Sequence, residues 1–412
     1  MKEMLQSILP LFGGYKLLHL YLHNEIQFIK KFMDPSFGWK KYMLFRLNRK
    51  KYLKKYMGPS VDWKRCCRYN PYYLRYGFKF LNYESEYYAA NTGVRSDLYL
   101  PRQLFSLYIF PYLNHKAWQP AFANKNMMSR FLDIAEANNH VDVRVPECVA
   151  YCDNGRYFLG RETSLRCNLD EAIKAVLASE GDLIIKPAVQ SAHGDGVKLL
   201  RRADKTENSV RTLFQQYGYN FVIQKKIIQH PELAKLNPTS VNTIRITTYQ
   251  NFDGQVKILY ATQRFGGKDR ICDNADPHDD PEASGGFCAI KPDGTYVREV
   301  HHIRTIKTNS LPDDIIEKIP YFDKVKETVL FLHSRFPHFA LIAWDMSISP
   351  DGHPIVVEYN FFPGLATCQL VHGPMFSKKD LDEIMERVSK GRIVRKKKLV
   401  VSFPSKEDNW IS

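Results

Sequence analysis

Apolar residues Leu17, Leu18, Tyr21, Leu22, Ile26, Ile29 and Phe32 recur at intervals of three and four with charges between them. That period predicts helix over residues 15–57. Gly58-Pro59-Ser60 ends the pattern, and a basic, tyrosine-dense stretch follows over 63–88. No Gly-rich strand-to-helix turn occurs up to about residue 120, which argues against a dinucleotide-binding domain there. The pattern changes at Asn124-Lys125-Asn126, which opens a helix through Leu132 and Ala137. Residues 143–146 start a strand, 170–179 read as helix, and 182–187 read as a buried strand followed by another at 197–200. Strands then dominate, at 221–227, 243–249, 256–261 and 286–290, with one helix at 321–336. A hairpin closes the series, 343–348 and 356–360 joined by the turn Pro350-Asp351-Gly352-His353. The mixture predicts an α+β fold with largely antiparallel sheets.

The length of 412 residues allows two or three domains, and 44% hydrophobic with 25% charged residues is ordinary globular composition. Charge is what departs from the ordinary. The formal net charge is +15, and residues 38–79 hold 13 Lys/Arg against one acid, Asp62. Arg392, Arg395, Lys396, Lys397 and Lys398 form a second cluster. Such patches favour an anionic membrane surface, a polyanion or an acidic substrate. No recognisable nucleic-acid motif accompanies them, so nucleic acid is not expected as a partner. The bland alternative is a helical layer with core aromatics and solvated lysines. The 8 cysteines show no metal spacing, and no apolar run reaches the ~18 residues of a membrane span. Reduced thiols in a cytoplasm, with peripheral contact at the inner face of the membrane, are the expectation.

Candidate chemistry gathers in the second half. In a strand, residues two apart share a face, so Glu358 and Asn360 project together, opposite Val357 and Tyr359, while Asp345 arrives from the paired strand. Two carboxylates and an amide suit Mg²⁺, although polar residues on a wet hairpin face explain the spacing equally well. Ile184-Ile185-Lys186-Pro187 ends a strand in a lysine, and the loop behind it carries Gly194 and Gly196. These glycines let backbone N–H groups approach an anion; a plain hairpin turn explains them as well. The edge Gln224-Lys225-Lys226-Ile227 suits backbone recognition of a purine. Arg245 sits among Ile244, Ile246 and Thr247, where it needs either an acidic neighbour or a phosphoryl group. Arg264, Asn274 and Ser284-Gly285-Gly286 bracket a polar segment, 265–283, of a length usual for functional loops. Its acids Asp276, Asp279, Asp280 and Glu282 lack EF-hand spacing and read as solvated, and His301-His302 read as surface or packing residues.

The order of these parts resembles an ATP-grasp enzyme, most closely the sugar-transfer-associated ATP-grasp family, over roughly residues 120–375. Ser240-Val241-Asn242-Thr243-Ile244-Arg245 and Trp344-Asp345 followed by Val357-Glu358-Tyr359-Asn360 carry the likeness. The resemblance implies ATP between two α+β lobes, 121–225 and 226–400, preceded by a mainly helical, basic region, 1–120. It implies that Lys125 and Lys186 contact phosphates, that the loop 190–196 with Gly194 and Gly196 covers them, and that Gln224, Lys225 and Ile227 hold adenine. Asp345, Glu358 and Asn360 would ligate Mg²⁺, as two ions bridged by Glu358, with Mn²⁺ as a substitute. Arg245 would stabilise the γ-phosphate, with Arg264 and Asn274 on the substrate side. Two departures stand out: Gln224 where many relatives carry Glu, and a helical N-terminal region where many have an α/β domain.

The chemistry implied is carboxylate activation by ATP through an acyl phosphate, then amide formation with an amino acid or amine. The acid would be a sugar acid or lipid-linked saccharide of surface polysaccharide biosynthesis. A kinase acting on a sugar-type hydroxyl is the alternative enzyme, and a basic membrane- or polyanion-binding protein with a vestigial nucleotide site is the alternative binding module.

Overall fold

The structure, a computed structural model, describes residues 61–397 except 116, 137–142, 161–164, 190–193, 195, 274–284 and 303–304. The described residues form two compact units, one of 61–112 with 373–397 and the other of 113–372. All regular elements of the first unit are helical, including Tyr83–Thr92, a π-helical turn at Phe105–Ile109 and the long helix Lys378–Lys397. Tyrosines dominate its core: Tyr73, Tyr88 and Tyr99 are fully buried, with Tyr72, Tyr83 and Tyr87 nearly so. Asp382 of the last helix ties it to the first turns by accepting from the Tyr72 hydroxyl at 2.8 Å, and it accepts from Lys378 one turn earlier in its own helix at 2.6 Å. Of the basic stretch, 38–60 lie outside the described residues. In the remainder Tyr72, Tyr73, Phe78 and Phe80 are core, Arg65 and Arg75 pair with acids, and Lys64, Arg68 and Lys79 are exposed.

Two antiparallel sheets build the second unit. The first comprises β1 (Cys148–Asp153), β2 (Arg156–Leu159), β3 (Arg166–Cys167), β4 (Leu183–Pro187), β5 (Lys198–Leu200) and β6 (Asn220–Lys225), in the order β3-β2-β1-β6-β4-β5. Helix α1 (Lys125–Glu136) precedes it, and α2 (Leu169–Ala178) and α3 (Glu207–Tyr217) cover one face. Asn168 caps α2 through a reciprocal bond with Glu171, which satisfies donors the first turn would leave open. Ile185, Phe221 and Ile223 point at these helices and meet Ile173, Val176 and Phe214. The alternate residues of β1, β4 and β6 are thereby left for the other face.

The second sheet comprises β7 (Ile244–Gln250), β8 (Val256–Phe265), β9 (Gly286–Ile290), β10 (Glu299–His302), β11 (Thr305–Ser310), β12 (Leu341–Ile348) and β13 (Pro354–Asn360), in the order β11-β10-β9-β8-β7-β12-β13. Helix α4 (Phe322–Ser334) packs behind it, burying Val325, Val329 and Leu332 against Ile244, Ile246, Trp344 and Tyr359. Helix α5 (Leu365–His372) follows β13. Burying a tryptophan completely, as at Trp344, is worth about 3–5 kcal/mol against alanine.

Several boundaries differ from expectation. The strand expected at 143–146 begins at Cys148, because Pro146 has no N–H for a ladder; Arg144 instead bridges Ile355 in parallel. β8 continues four residues past Ala261 to Phe265, which places Arg264 inside a strand. The short strands β2, β3, β10 and β11 and the helix α3 add to the elements expected from periodicity.

Candidate functional site

A single row of register partners crosses the second sheet: Glu358 opposite Asp345, Asp345 opposite Arg245, Arg245 opposite Thr262. Partners in register share a face, so these side chains project together, away from α4. A bulge makes this possible in β13. Asp345 pairs with Glu358 while Met346 pairs with Val356, leaving Val357 as the extra residue. Val356 and Tyr359 can therefore both face the core while Glu358 between them turns to the row. This corrects the simple alternation: Val356, fully buried, takes the core position expected for Val357.

The guanidinium of Arg245 donates in a fork to Asp345, Nε to Oδ1 at 2.7 Å and Nη2 to Oδ2 at 2.6 Å. Arg264 Nη1 lies 3.5 Å from Asp345 Oδ1 and 3.6 Å from Asp273 Oδ2, and Asn360 Nδ2 donates to Asp345 Oδ2 at 3.3 Å. Asp345 is only 6% exposed, and burial alone would raise its carboxyl; Arg245 and then Arg264 outweigh burial and hold it below the ordinary range. Thr243 donates to Asp273, which fixes that carboxylate beside Arg264. The start of α5 closes the site on another side: a Cβ placed on Gly364 would stand 4.0 Å from Arg245 Nη1. At the far end of α5, His372 Nε2 bonds Thr262 Oγ1 at 2.8 Å.

The first sheet offers a complementary face. Lys186, Val222 and Tyr151 form one register row and Ile184 and Gln224 another, on the side opposite its helices. A cleft with about 330 Å³ of empty space, part of it open to solvent, is lined there by Lys125, Met128, Cys148, Tyr151, Val222 and Gln224. Lys186 is 8% exposed. Burial pushes its ammonium below the usual lysine range and Lys125 reinforces the shift, while Glu358 opposes it. Lys125 Nζ stands 3.9 Å from Glu358 Oε2, and the Lys125 N–H donates to the Ala188 carbonyl at 2.9 Å, so the first residue of α1 touches both sheets. Two lysines thus share one carboxylate, Glu358 of the second sheet.

The expected residues are placed as follows. Lys125, Lys186, Gln224, Arg245, Arg264, Asp345, Glu358 and Asn360 converge as described. Lys225 lies at the end of β6 with its N–H bonded to Glu147 O at 2.9 Å, and Ile227 follows, half-buried. Gly194 and Gly196 adopt φ +76° and +73°, the left-handed region that favours glycine, and a Cβ at Gly196 would meet Pro187 at 2.8 Å. Most of the loop between Pro187 and Gly196, and Asn274, lie outside the described residues. Asp273 and Thr262 were passed over in the sequence; their signals were adjacency to Asn274 and the spacing of two from Arg264.

Asp345, Glu358 and Asn360 fit a magnesium ion: the set is two carboxylates and an amide oxygen on adjacent strands, all hard donors. Among the described residues no group of three or more His, Cys, Asp or Glu gathers, so the amide is needed to complete a three-residue set.

Residues 106–385 match the family described as sugar-transfer associated ATP-grasp. No curated protein matches the chain in sequence. Among solved structures, D-cycloserine synthetase DcsG is similar at 12% identity, over 65% of this chain and 71% of that chain, with a TM-score of 0.37. VanG D-Ala:D-Ser ligase from Enterococcus faecalis is 11% identical over 65% of this chain and 62% of its own, with a TM-score of 0.40. D-alanyl-alanine synthetase A from Vibrio cholerae is 12% identical over 66% of each chain, with a TM-score of 0.37. The chain thus spans about two thirds of the length of these structures.

Proposed function

The chain belongs to the sugar-transfer associated ATP-grasp family, and from that premise we propose that it is an ATP-dependent carboxylate–amine ligase working through an acyl phosphate. The observation that carries the reading is the row Glu358–Asp345–Arg245, with Arg264 and Asn360 beside it and Lys125 and Lys186 facing it. Opposed cations and carboxylates on two sheets suit a triphosphate whose charge is neutralised from both sides.

In this reading the lysines bind ATP's phosphates, and Gln224, Lys225 and Ile227 contact the base from the edge of β6. Asp345, Glu358 and Asn360 hold magnesium, which when bound neutralises the phosphates. A carboxylate oxygen of the acid attacks the γ-phosphorus; the bond to the bridging oxygen breaks, and ADP leaves with that electron pair. Arg245 and Arg264 orient the transferring group, a task for planar guanidinium forks. The amine nitrogen then attacks the acyl carbon, phosphate departs with the C–O electron pair, and the nitrogen loses a proton. Positioning dominates such a reaction, because little covalent work falls to the protein.

The family description directs the choice of acid to a sugar acid or lipid-linked saccharide, with an amino acid or amine as the nucleophile. The basic stretch 38–79 supports peripheral contact with an anionic membrane. Among the described residues no helix is long and apolar enough to cross one.

ADP release by the full chain over a panel of amines and sugar acids tests the reading. One pair should release ADP well above either partner alone. Arg245→Lys should lower its kcat at least a hundredfold, since the fork to Asp345 and the phosphoryl contact are both lost. ADP formed with a single hydroxyl-bearing partner and a stable phosphorylated product would replace the ligase by a kinase.

A further inference from the structure

Two adjacent histidines of β10 meet different surroundings. His302 is satisfied at both ring nitrogens: Nδ1 donates to the Gly285 carbonyl at 2.7 Å, and Nε2 accepts from Asn309 Nδ2 at 3.4 Å. His301 is only 7% exposed, yet none of the described residues gives its ring a hydrogen-bond partner. Buried polar groups are ordinarily paired, so packing alone does not account for an imidazole at this position.

Register puts the His301 ring on the face that carries the arginines. Arg264 of β8 pairs with Phe287 of β9, and Phe287 with His301, so the three side chains share one side of the sheet. Cys288, Ile290 and Val300 take the other side and enter the core behind it. The imidazole stacks on the Phe287 ring, with centroids 6.2 Å apart and planes 22° from parallel. It also stands close enough to His372 of α5 to disfavour that ring's charge, and His372 bonds Thr262, the register partner of Arg245. One residue thus separates His301 from each arginine's row.

Along the strand order β13-β12-β7-β8-β9-β10 the face carries the candidate metal set first, the arginines next and His301 last. Two strand spacings set His301 about 10 Å of backbone from Arg264. Arg264 itself leans the other way, toward Asp345. A nucleophile reaching a group held by the arginines from the side away from the metal set therefore arrives on the side of His301.

We propose that His301 is a catalytic residue of the second half-reaction, the acceptor of the proton that the amine sheds. The inference rests on the ligase reading of the same site. As the C–N bond forms, the nitrogen turns positive and its N–H becomes acidic. A ring nitrogen of His301 takes that proton, the N–H electron pair stays on nitrogen, and phosphate departs with the C–O pair. The ring then returns the proton to water. Burial lowers the pKa of His301 below 6.5 against the pull of Glu299, and His302 reinforces the shift. With His372 of α5, these are the titratable groups acting around it among the described residues. The ring is therefore neutral at neutral pH, the form a base must have.

Hydroxylamine separates this step from the one before it. It is uncharged at neutral pH and traps an acyl phosphate as the hydroxamate without help from a base. With ATP and the sugar acid of the productive pair, His301→Gln and His301→Ala should each lower kcat for the amide about a hundredfold relative to hydroxamate formation. Added imidazole should restore part of the loss in His301→Ala. The wild-type kcat for the amide should fall on acidification with a midpoint below 6.5, and His301→Gln should lose that limb. An unaltered ratio, amide and hydroxamate rates that fall together, or a wild-type profile flat below 6.5 would overturn the proton acceptor and leave the ligase intact. A wild type that forms no hydroxamate from any sugar acid of the panel overturns the ligase reading, and this inference with it.

Discussion

Arg245 gives Nε and Nη2, but not Nη1, to the buried carboxylate of Asp345, and such a pair contributes little net stability because both ions lose hydration. Its value lies in position: it sets a guanidinium and a carboxylate at fixed places on one face. His333 shows the opposite treatment of a titratable group. Its Nε2 donates to the Phe339 carbonyl at 2.8 Å, and its Nδ1 accepts from the Thr248 hydroxyl at 2.6 Å, which in turn accepts from Trp344 Nε1 at 2.9 Å. Burial pushes its imidazole down from 6.5 to about 4, so the fold favours the neutral ring. The unfolded chain therefore binds the proton first. The stability this group contributes is complete above pH 6.5 and is lost as pH falls from there to about 4, by roughly 3 kcal/mol. NMR titration of the His333 ring protons should give a midpoint near 4; a midpoint near 6.5 would show that the ring is not held neutral.

Among elements, the hairpin β12–β13 decides where the carboxylates point, and its turn is held from outside. Gly352 has φ +82°, and a Cβ there would meet the Tyr321 ring at 2.6 to 2.8 Å. Gly352→Ala should lower stability by about 2 kcal/mol, from left-handed strain together with the displaced ring. Adding Tyr321→Ala should recover part of that loss, as urea unfolding would show; a neutral Gly352→Ala would mean that the turn relaxes freely. The hairpin itself was legible in the sequence, since alternation and a Pro-Asp-Gly turn mark it. The bulge at Val357 was not, because a two-residue period cannot register an extra residue. β3 escaped for a related reason: at two residues it is too short to show a period.

At the scale of the whole molecule, the described residues 113–372 set two antiparallel sheets with α1 touching both, so that Lys125 of α1 and Lys186 of the first sheet lie near Glu358 of the second. The order of motifs made this architecture legible, because each lies at or beside a strand end and strands were the readable elements. Asp273 and Thr262 were not legible as site residues, since their approach to Arg264 and His372 depends on register across β7–β9 and on the path of α5. Charge was legible only as a total: in the described part of the basic stretch some arginines are already paired with acids. The central claim, that this site passes a phosphoryl group to a carboxylate before an amine attacks, has a direct test. The sugar acid is supplied with its carboxylate oxygens carrying a heavy isotope, and the phosphate released during turnover is analysed by mass. An acyl phosphate predicts one heavy oxygen transferred to each phosphate. Phosphate free of the label, with both heavy oxygens retained by the acid or its product, would contradict it.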